Sequence, residues 1–328
     1  MSTLFTPHLD QQIIPEQNLI YCSTFQLAWN ELSEFMNGEV TLKNPAITTA
    51  RAVQTLNKKE FTKTLLDENS YIALADLVGN GIVEKIVKDL RERFQEKTKF
   101  DFSGLDPSDI LAYSFLLKVL AFEQKFDEIQ TLEFNGTPVQ AFGTKVRRDS
   151  PHKLLSQIRI LHYKDDNEFT ICLKTKSNQI DSDYIILAML EPRDTFKETL
   201  DAVNMGTPGD EIGHRIRERE RLEIPKIFFD QIQGFNELCG RKILIDGKES
   251  EYFIAQALQA IKFELNEEGA KLRSEAVISA RKCCMSFEEK PRNFIFDKPF
   301  LVCLKQKESD PPYFVAWIEN TDVLKKKA

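Results

Sequence analysis

The stretch "FIFDKPFLVCL", residues 294–304, sets two apolar, aromatic-rich runs on either side of an Asp-Lys-Pro triplet. Short apolar runs rich in Phe, Ile and Val read as strands buried on a broad interior. "YFVAWIEN" (313–320) reads the same way downstream, as does "FIAQALQAIKFELNEEG" (253–269) upstream. The last quarter of the chain is therefore β-dominated.

Working outward, "TLEFNGTPVQAF" (131–142) predicts a hairpin, because Asn135-Gly136 suits the positive-φ turn that joins twisted strands. "SQIRILHYKDDNEFTICLKT" (156–175) predicts a second hairpin around Asp165-Asp166-Asn167, and "DYIILAML" (183–190) a further strand. Helices come earlier. In "TFQLAWNELSEFM" (24–36), Phe25, Ala28, Trp29, Leu32, Phe35 and Met36 recur at helical spacing after the short strand "LIYC". "NPAITTARAVQTL" (44–56) predicts a helix capped by Asn44 with Pro45 at its first position, and "KKEFTKTLL" (58–66) another. "SYIALADLV" (70–78) is β-rich, and "IVEKIVKDLRERF" (82–94) carries an apolar stripe of Ile82, Ile86, Leu90 and Phe94. "TFKETLDAVN" (195–204) predicts a short helix before the Gly/Pro break "MGTPGD", and the charged run "EIGHRIRERERLEIPKIFF" (211–229) a solvated surface segment. "ILAYSFLLKVLAFEQKF" (110–126) suits either a buried helix or a long central strand on periodicity alone. With early helices, late strands and no βαβ alternation, the class is α+β.

Composition excludes several functions. The chain has 328 residues, 42% hydrophobic and 29% charged, as in ordinary globular proteins, and 24 of them are Phe. Its net charge of -7 leaves no basic surplus for a nucleic-acid partner. There is no run long and apolar enough for a membrane span, and "MSTLFTPHLDQQIIPEQN" lacks the pattern of a signal peptide, so a cytoplasmic location is expected. The six cysteines, Cys22, Cys172, Cys239, Cys283, Cys284 and Cys303, lack metal-type spacing and are expected as reduced thiols. The four histidines form no ligand pattern, and no nucleotide-binding or hydrolase motif occurs. No enzyme activity, metal or cofactor is expected. The carboxylate neighbours Asp181 and Asp183, like Glu267 and Glu268, read as solvated turn residues.

Phe294 to Leu304 resembles the C-terminal signature of the serpin superfamily: an aromatic-apolar run, an acidic and a basic residue, then Pro-Phe and more apolar residues. "YFVAWIEN" is similar to the last strand of that family, with Ala316 where a glycine is usual. The resemblance implies a single serpin-like domain over 1–328, with residues 1–17 as an extended tail. It also implies a large mixed or antiparallel sheet with smaller sheets and N-terminal helices. "ILAYSFLLKVLAFEQKF" then becomes the long central strand of the main sheet, and "ALQAIKFELNEEGA" the strand leading into the family's reactive loop, with Glu267, Glu268, Gly269 and Ala270 as its hinge. Too few residues lie between Phe94 and Ile110 for the helix that crosses the front of that sheet, so this helix is expected to be missing or reduced to a loop. The family's serine-proline motif is replaced by Cys22 to Phe25, a tryptophan by Phe126, an asparagine by Lys118 and a histidine by Gln259. The resemblance assigns the control of sheet opening to these positions.

In the family, a cut loop enters the main sheet as an added strand. After Gly269 one parity, Ala270, Leu272, Ser274, Ala276 and Ile278, is small or apolar and would face inward. The other begins Lys271, Arg273 and Glu275, long charged side chains that are costly to order. The resemblance places the scissile region at Arg281, Lys282, Cys283 and Cys284. The leading expectation is a non-inhibitory protein that presents its loop, about 269–293, to a protein partner. The alternatives are a suicide inhibitor of a serine or cysteine protease, and a small-molecule carrier on the same scaffold.

Overall fold

The computed structural model describes residues 3–145, 152–176, 183–203, 215–217, 219–270, 291–306 and 311–327. The chain opens with strand β1 (Thr3–Thr6) and β2 (Asn18–Cys22), then helix α1 (Thr24–Phe35), β3 (Val40–Leu42) and α2 (Ile47–Asn57). Residues 3–6, expected as part of a tail, thus form an edge strand paired in parallel with β2. β4 (Tyr71–Leu77) and α3 (Ile82–Asp89) follow, then β5 (Ile110–Leu116) and β6 (Leu120–Ala121). Next come the β7 (Asp127–Phe134) and β8 (Thr137–Thr144) hairpin, α4 (His152–Ser156), and the β9 (Ile158–Asp165) and β10 (Glu168–Lys174) hairpin. β11 (Tyr184–Met189), α5 (Phe196–Val203), β12 (Arg221–Pro225) and β13 (Ile227–Gly234) lead to a third hairpin, β14 (Lys242–Ile245) and β15 (Lys248–Phe253). The chain continues through β16 (Leu258–Leu265), β17 (Gly269–Ala270), β18 (Asn293–Ile295), β19 (Phe300–Lys305) and β20 (Phe314–Ile318). The fold is α+β, and no helix of the described residues is long and apolar enough to cross a membrane.

The largest sheet has seven strands in the order β1-β2-β20-β19-β11-β10-β9. Strict alternation gives each strand two apolar faces. Ile20, Ile171, Leu187, Val302 and Ala316 enter the main core, while Leu19, Cys172, Ile186, Cys303 and Trp317 pack under Phe196, Leu200 and Val203 of α5. The Asp-Lys-Pro signature joins this sheet to a second, β18-β12-β8-β7. Phe294, Phe296 and Phe300 are fully buried between the two sheets. They meet Phe169 and Phe134 with ring centroids 5.0 to 6.1 Å apart. β8 and β12 lie so close that a Cβ on Gly143 would come within 1.8 Å of the Leu222 carbonyl oxygen.

Four expectations need correction. The strand predicted over 110–126 is broken: β5 stops at Leu116, Lys118 turns toward Asp183, and pairing resumes at Leu120–Ala121 and in a bridge from Phe122 to Thr175. α2 begins at Ile47 rather than after Asn44, because Asn44 has φ +49° and Ala46 is extended with ψ 155°. "KKEFTKTLL" forms only the 3-10 turn Lys63–Leu65, since buried Phe61 and Leu66 hold its ends and so short a helix does not pay its nucleation entropy. The charged run beyond Arg219 is not wholly solvated: Glu220 and Glu223 are buried, and Arg221–Pro225 is a strand.

Between Gln95, which ends the α3 stretch at φ +56°, and Ile110 there is no helix, as the length of that segment implied. The hairpin β14–β15 was not anticipated, although Asp246-Gly247 (φ +49° and +77°) is a strong hairpin signal. It pairs with β3 and closes a core with α1 and α2 around Trp29, Leu56 and Phe235. The close approach of β8 and β12 gives a direct check. Gly143→Ala should lower the unfolding free energy by about 2 kcal/mol or more, because overpacking here must move backbone. Urea unfolding would show it, and an unchanged midpoint would contradict the packing described.

Candidate functional site

Two pairs of strands, β4–β5 and β16–β13, form separate antiparallel ribbons. β5 and β16 do not pair with each other, so each has one edge without a strand neighbour along its length among the described residues. Helix α1 lies behind both ribbons. Their tops are joined by the hinge, and the candidate site is this hinge with the slot below it.

The hinge folds back on itself. Asn266 and Gly269 exchange backbone hydrogen bonds of 3.2 Å, closing a tight turn over Glu267 and Glu268. Gly269 and Ala270 then run antiparallel to Ala121 and Leu120 as strand β17. The amides of Phe122 and Phe126 donate to the carbonyls of Glu268 and Glu267 at 3.1 and 2.8 Å. Only glycine fits at 269. Its φ is +114°, and a Cβ would lie 2.2 Å from the Leu120 oxygen and 2.8 Å from the Ala121 Cα.

Charge fixes the turn. Glu267, which the sequence suggested was solvated, is 7% exposed and paired with Lys226 at 2.6 Å and Lys125 at 3.5 Å. Burial works to raise its pKa, but the hydrogen bond and charge of Lys226 outweigh that and hold it at about 2. Glu268 stays exposed and meets Lys125 at 3.3 Å.

The positions implicated in sheet opening form two polar groups. Behind the slot, the Gln259 amide donates to the Cys22 carbonyl at 2.9 Å and the Thr24 hydroxyl at 2.8 Å. The Ser114 hydroxyl donates to the Thr24 carbonyl, so Gln259 of β16 and Ser114 of β5 meet on one residue at the start of α1. At the break in the central strand, Lys118 pairs with Asp183 at 3.2 Å, both side chains being largely buried, and its ammonium lies 5.6 Å from the Tyr313 ring centroid. Burial pushes the Asp183 pKa up, against the pull of Lys118. Asp183 is thus no solvated turn carboxylate, and Asp181 lies outside the described residues. Phe126 is buried edge-on against Phe122, centroids 4.8 Å apart.

Glu267, Glu268, Gly269 and Ala270 lie in this turn and in β17, whereas Leu272, Ser274, Ala276, Ile278, Arg281, Lys282, Cys283 and Cys284 lie outside the described residues. The chain resumes at a second anchor. Arg292 makes a bidentate pair with the fully buried Glu220, at 2.7 and 3.0 Å, and its guanidinium lies within 5.6 Å of the Tyr163 and Phe294 ring centroids. The backbone and side-chain amides of Asn293 both donate to Asp166 at 3.1 Å. No sequence periodicity points to Arg292, since its partner is 72 residues away. No disulfide joins the described cysteines, and no cluster of metal-ligating side chains occurs among the described residues.

No family model matches the sequence, and no curated protein matches it. Among solved structures the chain is similar to native tengpin, a thermophilic serpin, at 12% identity and a TM-score of 0.50 over 94% of this chain and 90% of that one. It is also similar to thyroxine-binding globulin in complex with thyroxine, at 10% identity and a TM-score of 0.49 over 92% of each chain. A third similar structure is native protease nexin-1 with heparin, at 10% identity and a TM-score of 0.43 over 91% of this chain and 97% of that one. The likeness to tengpin shows the fold, and the chain is serpin-like in architecture.

The depressed Glu267 pKa ties the hinge to pH. A carboxyl at about 2 when folded and near 4.5 when free stabilises the seat above about pH 4.5, and this contribution drains away as pH falls toward 2. Hydrogen exchange at the Phe122 and Phe126 amides, corrected for intrinsic rates, should accelerate across that window. In Glu267→Gln the acceleration should be absent and exchange faster at neutral pH. A wild-type profile flat from pH 5 to 2 would refute the ion-pair account.

Proposed function

We propose that the protein is a non-inhibitory, single-domain serpin-like scaffold, without catalytic activity, that presents the segment 271–290 to a protein partner. The observation that carries this reading is the position of Lys118. Strand β17 pairs Ala270 with Leu120, so the next inward residue, Leu272, would fall opposite Lys118 if the strand continued in register. Lys118 is committed there to Asp183 in a largely buried pair. Wedging a leucine beside that pair would strip its remaining hydration or break it, and breaking a buried pair costs roughly 3–5 kcal/mol. On the outer face, a strand continuing in the register of the Asn266–Gly269 bridge would bring Arg273 opposite Lys262, and like charges directly across strands repel. Both effects favour a hinge that seats two residues and stops. Anchors at both ends, Gly269 and Arg292, suit a segment held out for recognition.

A second reading has its own support. The unpaired edges of β5 and β16 are what an added strand would need, and the alternation from Ala270 to Ile278 would turn its small side chains inward. On that reading the protein is a suicide inhibitor of a serine or cysteine protease, cut near Arg281 to Cys284. The two separate on one measurement. After limited proteolysis within 271–290, the thermal midpoint should stay at that of the intact protein. A large rise in Tm, or an SDS-resistant adduct with the protease, would overturn the leading reading and establish the second.

A further inference from the structure

The segment that replaces the missing front helix does more than connect α3 to β5. Phe94 packs edge-on against Phe115, centroids 4.9 Å apart, and Phe100 and Phe102 both pack edge-on against Tyr113 at 6.4 and 6.3 Å. These contacts fasten residues 94–102 to the front of the β4–β5 ribbon, over the apolar cluster of Ile72, Ile86 and Leu90. Between those aromatic residues stands Lys99, and its ammonium pairs with Asp230 of β13. β13 belongs to the other ribbon, so the pair links the strap to the ribbon it does not pack on. Asp230 faces Lys262 across the β13–β16 pair. Both members of the Lys99–Asp230 pair are a little over one-third exposed.

We propose that residues 95–102 form a strap across the front of the split sheet, clasped by Lys99 on Asp230, which sets how readily the two ribbons part. The strap is fastened on both sides of Lys99 by contacts among five aromatic rings, and it reaches the other ribbon through a single charge pair. The pair therefore gates access to the unpaired edges of β5 and β16. It stands independently of how the segment 271–290 behaves.

The test is hydrogen exchange in the full chain. Lys99→Met keeps the aliphatic stem and removes the charge. Amides of β5 (110–116) and β16 (258–265) should exchange about two- to fivefold faster, the range expected of a partly exposed ion pair. Amides of β19 and β20 should keep their rates. Lys99→Arg, which keeps the charge, should keep the natural rates, and high salt should speed β5 and β16 exchange in the natural protein but not in Lys99→Met. Unchanged β5 and β16 rates in Lys99→Met, an equal acceleration in β19 and β20, or an acceleration in Lys99→Arg as large as that in Lys99→Met would each overturn the proposal.

Discussion

The structure depends first on where β19 and β20 lie. They occupy the centre of the seven-stranded sheet, with β2 on one side and β11 on the other. Leu19 pairs with Trp317 and Ala188 with Leu301, contacts between residues far apart in sequence. Without these two strands the sheet falls into two unconnected pieces, each with an apolar edge. Ordering such contacts requires most of the loop-closure entropy in advance, so slow folding is built into the topology. The aromatic residues of the signature stretch make the arrangement worth reaching: Phe294, Phe296 and Phe300 fill the space between two sheets that would otherwise share little surface.

The second large surface, the paired ribbons β4–β5 and β16–β13, is organised on opposite terms. Each ribbon buries one face in an apolar core. The links that join β5 to β16 directly are polar: the hinge seat at the top, the Gln259–Thr24–Ser114 hydrogen bonds behind, and Lys99–Asp230 in front. Polar links exchange for water or for other partners at small net free energy, whereas buried aromatic contacts do not. Each ribbon is thus fixed by burial, and the connection between the two is held by interactions that can be traded. A protein with a slot between two ribbons needs that division, because a slot lined by interlocking apolar side chains would collapse.

This division also governs what the sequence made legible. Elements that depend on local rules were readable: α1 from its apolar spacing, the Asn135-Gly136 turn from its suitability for positive φ, and six of the seven strands of the largest sheet from their short apolar runs, β1 having been expected as tail. The signature stretch carried the fold because its three phenylalanines and Asp-Lys-Pro turn are specific in combination. The hairpin at Asp246-Gly247 obeyed the same rules and was readable but passed over. The candidate site was legible only in part. Glu267, Glu268 and Gly269 announced a turn, but the burial of Glu267 depends on Lys226 and Lys125, which no local pattern connects to it. Glu220 and Arg292 were hidden in the same way, since a charged run looks alike whether its partner is water or a guanidinium from another strand. The break in the central strand has the same origin: Lys118 has one neighbour in the sequence and another, Asp183, in the fold.

The hinge is where the two regimes meet, and its sequence shows why it stops where it does. Gly269 permits the backbone to approach β6 so closely that no side chain fits, and the buried Glu267 ties the turn to two lysines. Both features draw the chain into the sheet. Immediately beyond, the residues that a continuing strand would meet are Lys118 and Lys262, one bound in a buried pair and the other like-charged to Arg273. Attraction for two residues and resistance at the next few is a stable compromise rather than an interrupted motion. A scaffold of this architecture can thus keep its hinge seated at Gly269 and Ala270.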